Sequence, residues 1–563
     1  MNDLIIVKPE RCIGCNACIR NCPAPEANAT KLLEDGRYIT TVNSDKCIGC
    51  GKCLKVCSHN ARDYIDDTRA CMQRLQKDKT IILVSPTIKT VYPTRWIGIL
   101  DWFKSKGCTI FDVSFGADIC TWAHLKAMDE QKINRIISQP CAAVVKYIET
   151  YQPSLIRNLS PVQSPVGCAA IYIKKYLRRT NPIAVLTPCI AQKHEFNETG
   201  LIEYTITFEK LNEYFDANGI IIHNNSSEEY DYKFDDQQGQ YGAIYSRPAG
   251  FKDNLLLHTP DLSIVNSEGV NKIYRELDLY AEIPESKRPR ILDLLSCEYG
   301  CNLGPASGSK ATPFDVMNQM KIVEAEAIKR RKTSVFRSGE DKLFKKFSED
   351  LNYEEFLRTY NTPPRSPIPS DKQLNAVFKL MGKTTDADKS YNCQACGYNS
   401  CRDMATAICR GLTTPNNCVI HSRDSLNERR NNIAGQQERF SEVTDNCRKL
   451  SEDLQSKMNS IRKNLENICD STKKTSEKSR VVNDLLTNII TFCKNNTSLD
   501  ADGINQMGVI LETTLNAFKG LDENISVTNQ NSELITKAIS EIKSGIESIN
   551  KALGDTARMN ISK

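Results

Sequence analysis

Histidine is scarce in this chain, with six residues, and net charge is low, at +5. The shortage of imidazole argues against metal sites built on histidine. A near-neutral balance leaves no electrostatic footprint for nucleic acid or an anionic membrane surface, so neither is expected as a partner. Long apolar runs are missing as well: none approaches the roughly 18 to 20 residues that span a bilayer. The start, Met1-Asn2-Asp3-Leu4-Ile5-Ile6-Val7-Lys8, lacks the basic region and apolar core of a secretory signal. A cytoplasmic location is the resulting expectation.

Cysteine, by contrast, is abundant: 24 residues in a chain of 563. In a reducing compartment so many thiols are poor candidates for disulfides and good ones for metal ligation. Hydrophobic content of 40% and charged content of 25% are ordinary for globular protein. The length implies several domains, since single cores rarely grow beyond about 250 to 300 residues.

The first cysteines are spaced Cys12-x2-Cys15-x2-Cys18-x3-Cys22-Pro23 and then Cys47-x2-Cys50-x2-Cys53-x3-Cys57. This is the bacterial two-cluster ferredoxin run, in which the fourth cysteine reaches across to the other cluster. One 4Fe–4S cluster is assigned to Cys12, Cys15, Cys18 and Cys57, the second to Cys47, Cys50, Cys53 and Cys22. Gly14 and Gly49 suit a close approach of backbone to sulfide. Ser58 stands where a proline usually follows, which removes no ligand. Zinc, the alternative, prefers separated cysteine pairs around a longer spacer.

From about residue 78 strands alternate with helices. Thr80–Pro86, Thr109–Gly116 and Pro182–Pro188 are short apolar runs of the buried-strand type, and a helix is expected from Ala117. An α/β core follows, with strand ends that carry a site. Three segments place cysteine beside proline or glycine: Ser138-Gln139-Pro140-Cys141, Thr187-Pro188-Cys189 through Glu195, and Cys297-Glu298-Tyr299-Gly300-Cys301. Four thiolates from three distant loops could hold one more cubane.

These segments resemble the three signature loops of FeFe-hydrogenases, and the resemblance extends over roughly residues 1 to 365. It implies an H-cluster: a 4Fe–4S cube on Cys141, Cys189, Cys297 and Cys301, bridged through Cys301 to a two-iron unit with CO, CN and dithiolate ligands. Ser85-Pro86-Thr87 and Phe111 to Asp118 are similar to further segments lining that site, and Glu195 matches the glutamate of the second loop. Thr87, Gln192, Glu195 and Cys301 are thereby the candidate catalytic residues. Dihydrogen and protons are the implied substrates, and ferredoxin or another redox protein the implied partner, in an anaerobe.

Departures from the family pattern point to its sensory branches. A second cysteine that precedes the first-loop ligand and passes protons is here Pro140, which has neither an acidic proton nor an N–H. The second-loop lysine is replaced by Gln192, with Lys193 shifted by one; an amide still donates a hydrogen bond to cyanide but brings no charge. A carboxylate-bearing stretch after Asp118 reads instead Cys120-Thr121-Trp122-Ala123-His124. His124 is read as a packed structural histidine before a relay group. Loss of the first acid implies slow turnover, since matched acid–base groups speed proton transfer by about 10²- to 10⁴-fold.

A second module, Cys393-x2-Cys396-x4-Cys401-x16-Cys418, fits a further 4Fe–4S cluster or a tetrahedral zinc site. It resembles the small iron–sulfur domain of corrinoid-protein and acetyl-coenzyme A pathway enzymes. Cys409 is not expected to be a ligand. Asn361 to Pro369, with its prolines, reads as the linker into it. Beyond about residue 422 apolar residues recur at helical spacing: Val443, Cys447, Leu450, Leu454, Ile461, Leu465 and Ile468, then Ile535, Ile539, Ile542, Ile546, Ile549 and Leu553. This is a heptad seam, with a turn expected over Asn495–Gly503 between antiparallel helices. The segment is loosely similar to the signalling region of methyl-accepting chemotaxis proteins; a plain dimerisation coiled coil is the alternative.

The expected protein is multidomain α/β: a two-cluster ferredoxin domain (1–77), an H-cluster-like α/β domain (78–365), a small 4Fe–4S domain (366–421) and helices for signalling or dimerisation (422–563). The expected function is slow splitting or sensing of dihydrogen, with electrons passed to 4Fe–4S clusters. A homodimer through the C-terminal helices and a signalling kinase or phosphatase partner accompany it. The rival readings are a ferredoxin-linked catalytic hydrogenase with an altered proton path, and an electron-transfer or scaffold protein without the H-cluster.

Overall fold

The computed structural model describes residues 4–223, 232–332, 341–364, 366–495 and 500–561. It divides into two units, Met1–Ser422 and Arg423–Lys563.

The first unit opens with two small antiparallel ribbons. Strand β1 (Ile5–Val7) precedes β2 (Asn28–Leu32) and β3 (Tyr38–Val42), which pair with each other, and β4 (Arg62–Tyr64) returns to pair with β1. The cysteine runs occupy the loops and short helices between these strands, whose pairing holds the loop ends in place.

The α/β part then contributes β5 (Ile81–Val84), β6 (Thr109–Asp112), β7 (Ile136–Ile137), β8 (Ile183–Thr187), β9 (Tyr204–Thr207), β10 (Ile264–Glu268) and β11 (Ile291–Leu295). They form two parallel sheets, in the orders β6-β5-β8-β9 and β10-β11-β7. Every residue of β5, β8 and β11 is buried, as parallel strands covered on both faces require. The carboxyl ends of β5, β7, β8 and β11 lead into Ser85-Pro86, Pro140-Cys141, Pro188-Cys189 and Ser296-Cys297. A site at the carboxyl ends of parallel strands is the general rule for open α/β sheets.

One boundary differs from expectation. The strand at Thr109 stops at Asp112, and the helix begins at Val113 rather than Ala117. Asp112 caps it by accepting a hydrogen bond from the Ser114 amide at 2.9 Å, and a capping carboxylate of this kind ends the extended run. This helix, Val113–Glu130, is buried for most of its length, and Gly116 lets it meet the helix Pro165–Ile171. A Cβ at Gly116 would lie 2.3 Å from the Pro165 carbonyl oxygen and 2.7 Å from the Ala169 Cβ.

In the second unit the helix that began at Val419 runs to Asn495, and a second spans Ala501–Ile561. The centre of the expected turn, 496–499, lies outside the described residues. The helices are antiparallel: Ser451 meets Asn550, Ser479 meets the Phe518 carbonyl, and Lys494 faces Glu512. Their contact follows the expected seam only in part, taking Leu465 and Ile546 from it. Ser451, Met458, Leu465 and Ser479 are buried on one helix, and Ile525, Ser532 and Ile546 on the other. Val443, Cys447, Leu450, Leu454, Ile461, Ile468, Ile535, Ile542 and Ile549 stay exposed, and the Leu553 side chain lies outside the described set. Two helices can close only one stripe over each other, and the heptads here carry a second. Among the described residues no helix is long and apolar enough to cross a membrane.

Two expectations follow. Gly116→Ala should cost about 1–3 kcal/mol through overpacking between backbones that cannot yield, read as a lower denaturation midpoint. His258 is mostly buried with its ring stacked on Phe344 at 4.0 Å, and burial pushes its imidazole down to about 4. Between roughly pH 6.5 and 4 the unfolded chain takes a proton that the folded one refuses, so stability should fall as pH drops through that window. Below it the loss should level off. His258→Phe should flatten that part of a melting-temperature series against pH.

Candidate metal centres

Loops from the carboxyl ends of four strands close around one cavity, with about 900 Å³ of empty space, part of it open to solvent. Cys141, Cys189, Cys297 and Cys301 all line it, so the four candidate thiols of the three distant loops meet. Each residue is partly exposed, and what surface it keeps faces this space. Local bonds fix the sulfur-bearing turns. The Ser296 amide donates to Cys141 Sγ at 3.5 Å, the Cys189 amide to Thr187 Oγ1 at 3.2 Å, and the Cys301 amide to the Ser246 carbonyl at 2.8 Å.

Burial pushes the Cys297 thiol up to about 12, with Cys141 adding to it. Cys301 is raised well above its ordinary value by burial and then by Cys297, Cys189 and Cys141. Cys189 is raised by burial and by Cys297 and Cys141. Four thiolates sharing one low-dielectric space repel each other, and only a positively charged centre between them makes them stable as anions. Among the described residues no three His, Cys, Asp or Glu side chains are gathered tightly enough for a single ion. The four cysteines line one shared cavity. That donor set fits a multi-iron cube, in which each thiolate takes a different iron.

The other predicted residues divide. Gln192 lines the cavity, and its Oε1 is buried without a protein partner. Pro140 lines it too. Thr87 is fully buried but does not line the cavity; its hydroxyl pairs at 2.8 Å with Ser85, which does. Glu195 is buried away from the cavity wall, 3.6 Å from the Arg358 guanidinium, itself buried. Burial raises the Glu195 carboxyl, and Arg358 opposes the rise. Lys193 pairs with Asp67 instead of reaching the cavity.

Behind the wall lies a polar cluster only partly visible in the sequence. His124 Nε2 is 2.6 Å from Ser160 Oγ, and its Nδ1 is 2.7 Å from the Cys120 carbonyl oxygen, so the ring is buried and hydrogen-bonded on both sides. Tyr245 lines the cavity and donates its hydroxyl to Cys120 Sγ at 3.5 Å. Nothing local marks Tyr245: it follows a single 3₁₀ turn, Tyr241–Ile244.

Among the N-terminal cysteines, Cys22, Cys47, Cys50 and Cys53 act on one another electrostatically. Burial pushes Cys22 and Cys53 up to about 12, and Cys47 acts on both as a like charge. Cys50 is raised well above its ordinary value by burial and then by Cys22. Cys12 shares an apolar cluster with Cys57. Gly14 and Gly49 serve protein packing: a Cβ at Gly14 would lie 2.5 Å from the Tyr38 carbonyl oxygen, and one at Gly49 2.8 Å from the Ala191 Cα. The second contact presses the Cys47–Cys53 loop against the Cys189 loop, and Cys50 itself lines the cavity.

Of the last cysteine set, Cys396, Cys401 and Cys418 are buried and Cys393 is exposed. Burial raises Cys396, with Cys418 and Cys393 adding to it. Cys409 ends the helix Cys401–Cys409 and packs against the module's apolar cluster. The module rests on the ferredoxin part. Asn16 donates to Asn417 at 2.7 Å, Thr30 to Thr413 at 2.8 Å, and Arg410 pairs with Glu26 at 2.7 Å. Cys18 and Cys53 share an apolar cluster with Cys396, Cys401 and Cys418.

Comparison with known proteins returns the same three parts. Residues 98–305 match the family of the iron only hydrogenase large subunit, C-terminal domain. Residues 4–58 match the 4Fe-4S dicluster domain, and 390–420 match an Fe-S cluster family. No curated protein matches the chain. Among solved structures, a variant of the FeFe-hydrogenase HydA1 from Chlamydomonas reinhardtii is 14% identical, with a TM-score of 0.40, over 53% of this chain and 99% of that one. The hydrogenase HydA(deltaEFG), solved for stepwise H-cluster assembly, is 15% identical, with a TM-score of 0.41, over 53% and 99%. With residues 4–58 matching a dicluster ferredoxin-type domain ahead of residues 98–305 matching a hydrogenase large-subunit domain, these parts of the chain are FeFe-hydrogenase-like.

Proposed function

We propose that this protein is a low-turnover, sensory FeFe-hydrogenase that oxidises or senses dihydrogen and stores the resulting electrons on 4Fe–4S clusters. The observation that carries this reading is the meeting of Cys141, Cys189, Cys297 and Cys301 on a cavity whose wall includes Pro140. In this reading the four cysteines would hold a cube, and Cys301 would also help hold a two-iron unit with CO, CN and dithiolate ligands. When bound, that group supplies heterolytic cleavage of dihydrogen and one-electron transfer. The chain's own residues do the rest. Gln192 lines the cavity with a buried amide whose N–H could hydrogen-bond a cyanide of that group when it is bound. Pro140 puts an inert ring where a proton carrier would stand, which makes proton departure the slow event.

The cysteine sets lie in series. Cys50 adjoins the cavity, Cys53 and Cys18 adjoin the last module, and Cys396 and Cys418 lie within it. The assignments Cys12, Cys15, Cys18 and Cys57; Cys47, Cys50, Cys53 and Cys22; and Cys393, Cys396, Cys401 and Cys418 complete three further 4Fe–4S sites. The domain limits proposed are 1–77, 78–365, 366–421 and 422–563. The exposed stripe from Leu450 to Ile468 and Ile535 to Ile549 supports a homodimer through the helical region, with a kinase or phosphatase reading its state.

Infrared spectroscopy of matured, full-length protein tests the reading. Bands of metal-bound CO and CN are expected. Their absence, with every cubane present by iron and sulfide content, would favour an electron-transfer scaffold. In protein that shows the bands, Pro140→Cys should raise dihydrogen turnover by about 10²- to 10⁴-fold. An unchanged rate would show that proton delivery at this position does not limit the reaction.

A further inference from the structure

Arg62, at the start of β4, is a buried cation with no carboxylate to answer it. Its residue is 7% exposed. Nη2 donates to Cys18 Sγ at 3.0 Å, Asn28 Oδ1 at 2.9 Å and Thr40 Oγ1 at 2.8 Å. Nη1 is buried and has no hydrogen-bond partner in the protein. The neighbouring carboxylate, Asp63, is engaged by Lys8 and Lys210, and Arg62 enters no ion pair among the described residues.

A guanidinium cannot shed its proton inside a protein, so its charge has to be met by an anion or remain an expensive defect. The groups around this one are thiols and their hydrogen-bonding neighbours. The Thr40 hydroxyl, which accepts from Arg62, is 3.4 Å from Cys18 Sγ and 3.6 Å from Cys12 Sγ. Asn28, on the other side, helps lower the Cys22 thiol against the rise that burial imposes. The positive charge favours the thiolates of Cys53, Cys47 and Cys12 against the penalty of burial. The head group therefore touches Cys18 of one N-terminal cysteine set and acts electrostatically on Cys47 and Cys53 of the other.

We propose that Arg62 is the shared counter-charge of the two N-terminal cubanes and makes them easier to reduce, the Cys18-bearing cube most of all. The proposal rests on reading Cys12, Cys15, Cys18, Cys57 and Cys47, Cys50, Cys53, Cys22 as 4Fe–4S ligands. A cube with four thiolates is anionic in both working states and one unit more negative when reduced. A fixed cation in a low-dielectric site stabilises the reduced form more than the oxidised one. The step is a one-electron reduction by a low-potential donor, with no proton taken up, because the guanidinium is charged before and after. Arg62 thereby makes the ferredoxin part a resting place for electrons between the cavity and the Cys393 module.

The test is a potentiometric titration of full-length holoprotein with dithionite, followed by electron paramagnetic resonance, beside iron and sulfide analysis. Arg62→Gln should lower the midpoint of at least one N-terminal cube by a tenfold change in its reduction constant, which is 59 mV for one electron. Arg62→Lys, which keeps the charge, should stay near the wild-type value. Unchanged potentials in R62Q at full iron content overturn the proposal. Should R62Q assemble fewer cubes, R62K decides: intact cubes at wild-type potential support the charge, whereas loss or an equal shift in both variants overturns it in favour of packing. Wild-type protein without cubane iron would sink the ligand reading itself, a separate failure.

Discussion

The structure turns on confining like-charged sulfurs within little solvent. Burial raises each of the four cavity thiols, and neighbouring sulfurs raise Cys189, Cys297 and Cys301 further. An arrangement that unfavourable in isolation is sensible only around a positively charged core. The two parallel sheets make it possible. Their fully buried strands end together, and proline and cysteine follow each end, so the turns present sulfur instead of continuing the chain.

Contacts between the parts follow from the same need to exclude water. The loop of Cys47–Cys53 comes so close to the Cys189 loop that Gly49 has no room for a side chain, and a Cβ at Gly51 would lie 2.2 Å from that of Pro305. On its other side the ferredoxin part shares an apolar cluster with the Cys393 module. The buried guanidinium of Arg62 lies among the N-terminal sulfurs in the same medium, where a charge acts strongly because little screens it.

The helical unit obeys a simpler rule. Its two antiparallel helices close over a stripe containing serines and methionine as well as leucine and isoleucine. A richer aliphatic stripe remains outside. A hairpin held by so modest a seam leaves most of its hydrophobic driving force unspent on itself.

Much was legible in order along the chain. Spacing alone grouped the ferredoxin cysteines, because ligands of one cube come from a turn and one distant partner, and periodicity marked the strands and the long helices. Neighbouring residues sufficed for those readings. Residues brought together by packing were another matter. Thr87 turns to Ser85 instead of the cavity, Glu195 to Arg358, and Gly14 and Gly49 lie tightly against protein backbone. Tyr245 reaches the wall from a turn that carries no signal, and the helical contact takes only Leu465 and Ile546 from the expected seam while most of its apolar residues stay exposed. Sequence determined which residues could bind metal and which segments would be strand or helix, since both depend on local spacing. Tertiary structure decided which faces met and which charges were left buried without a partner, since those depend on how distant elements pack together.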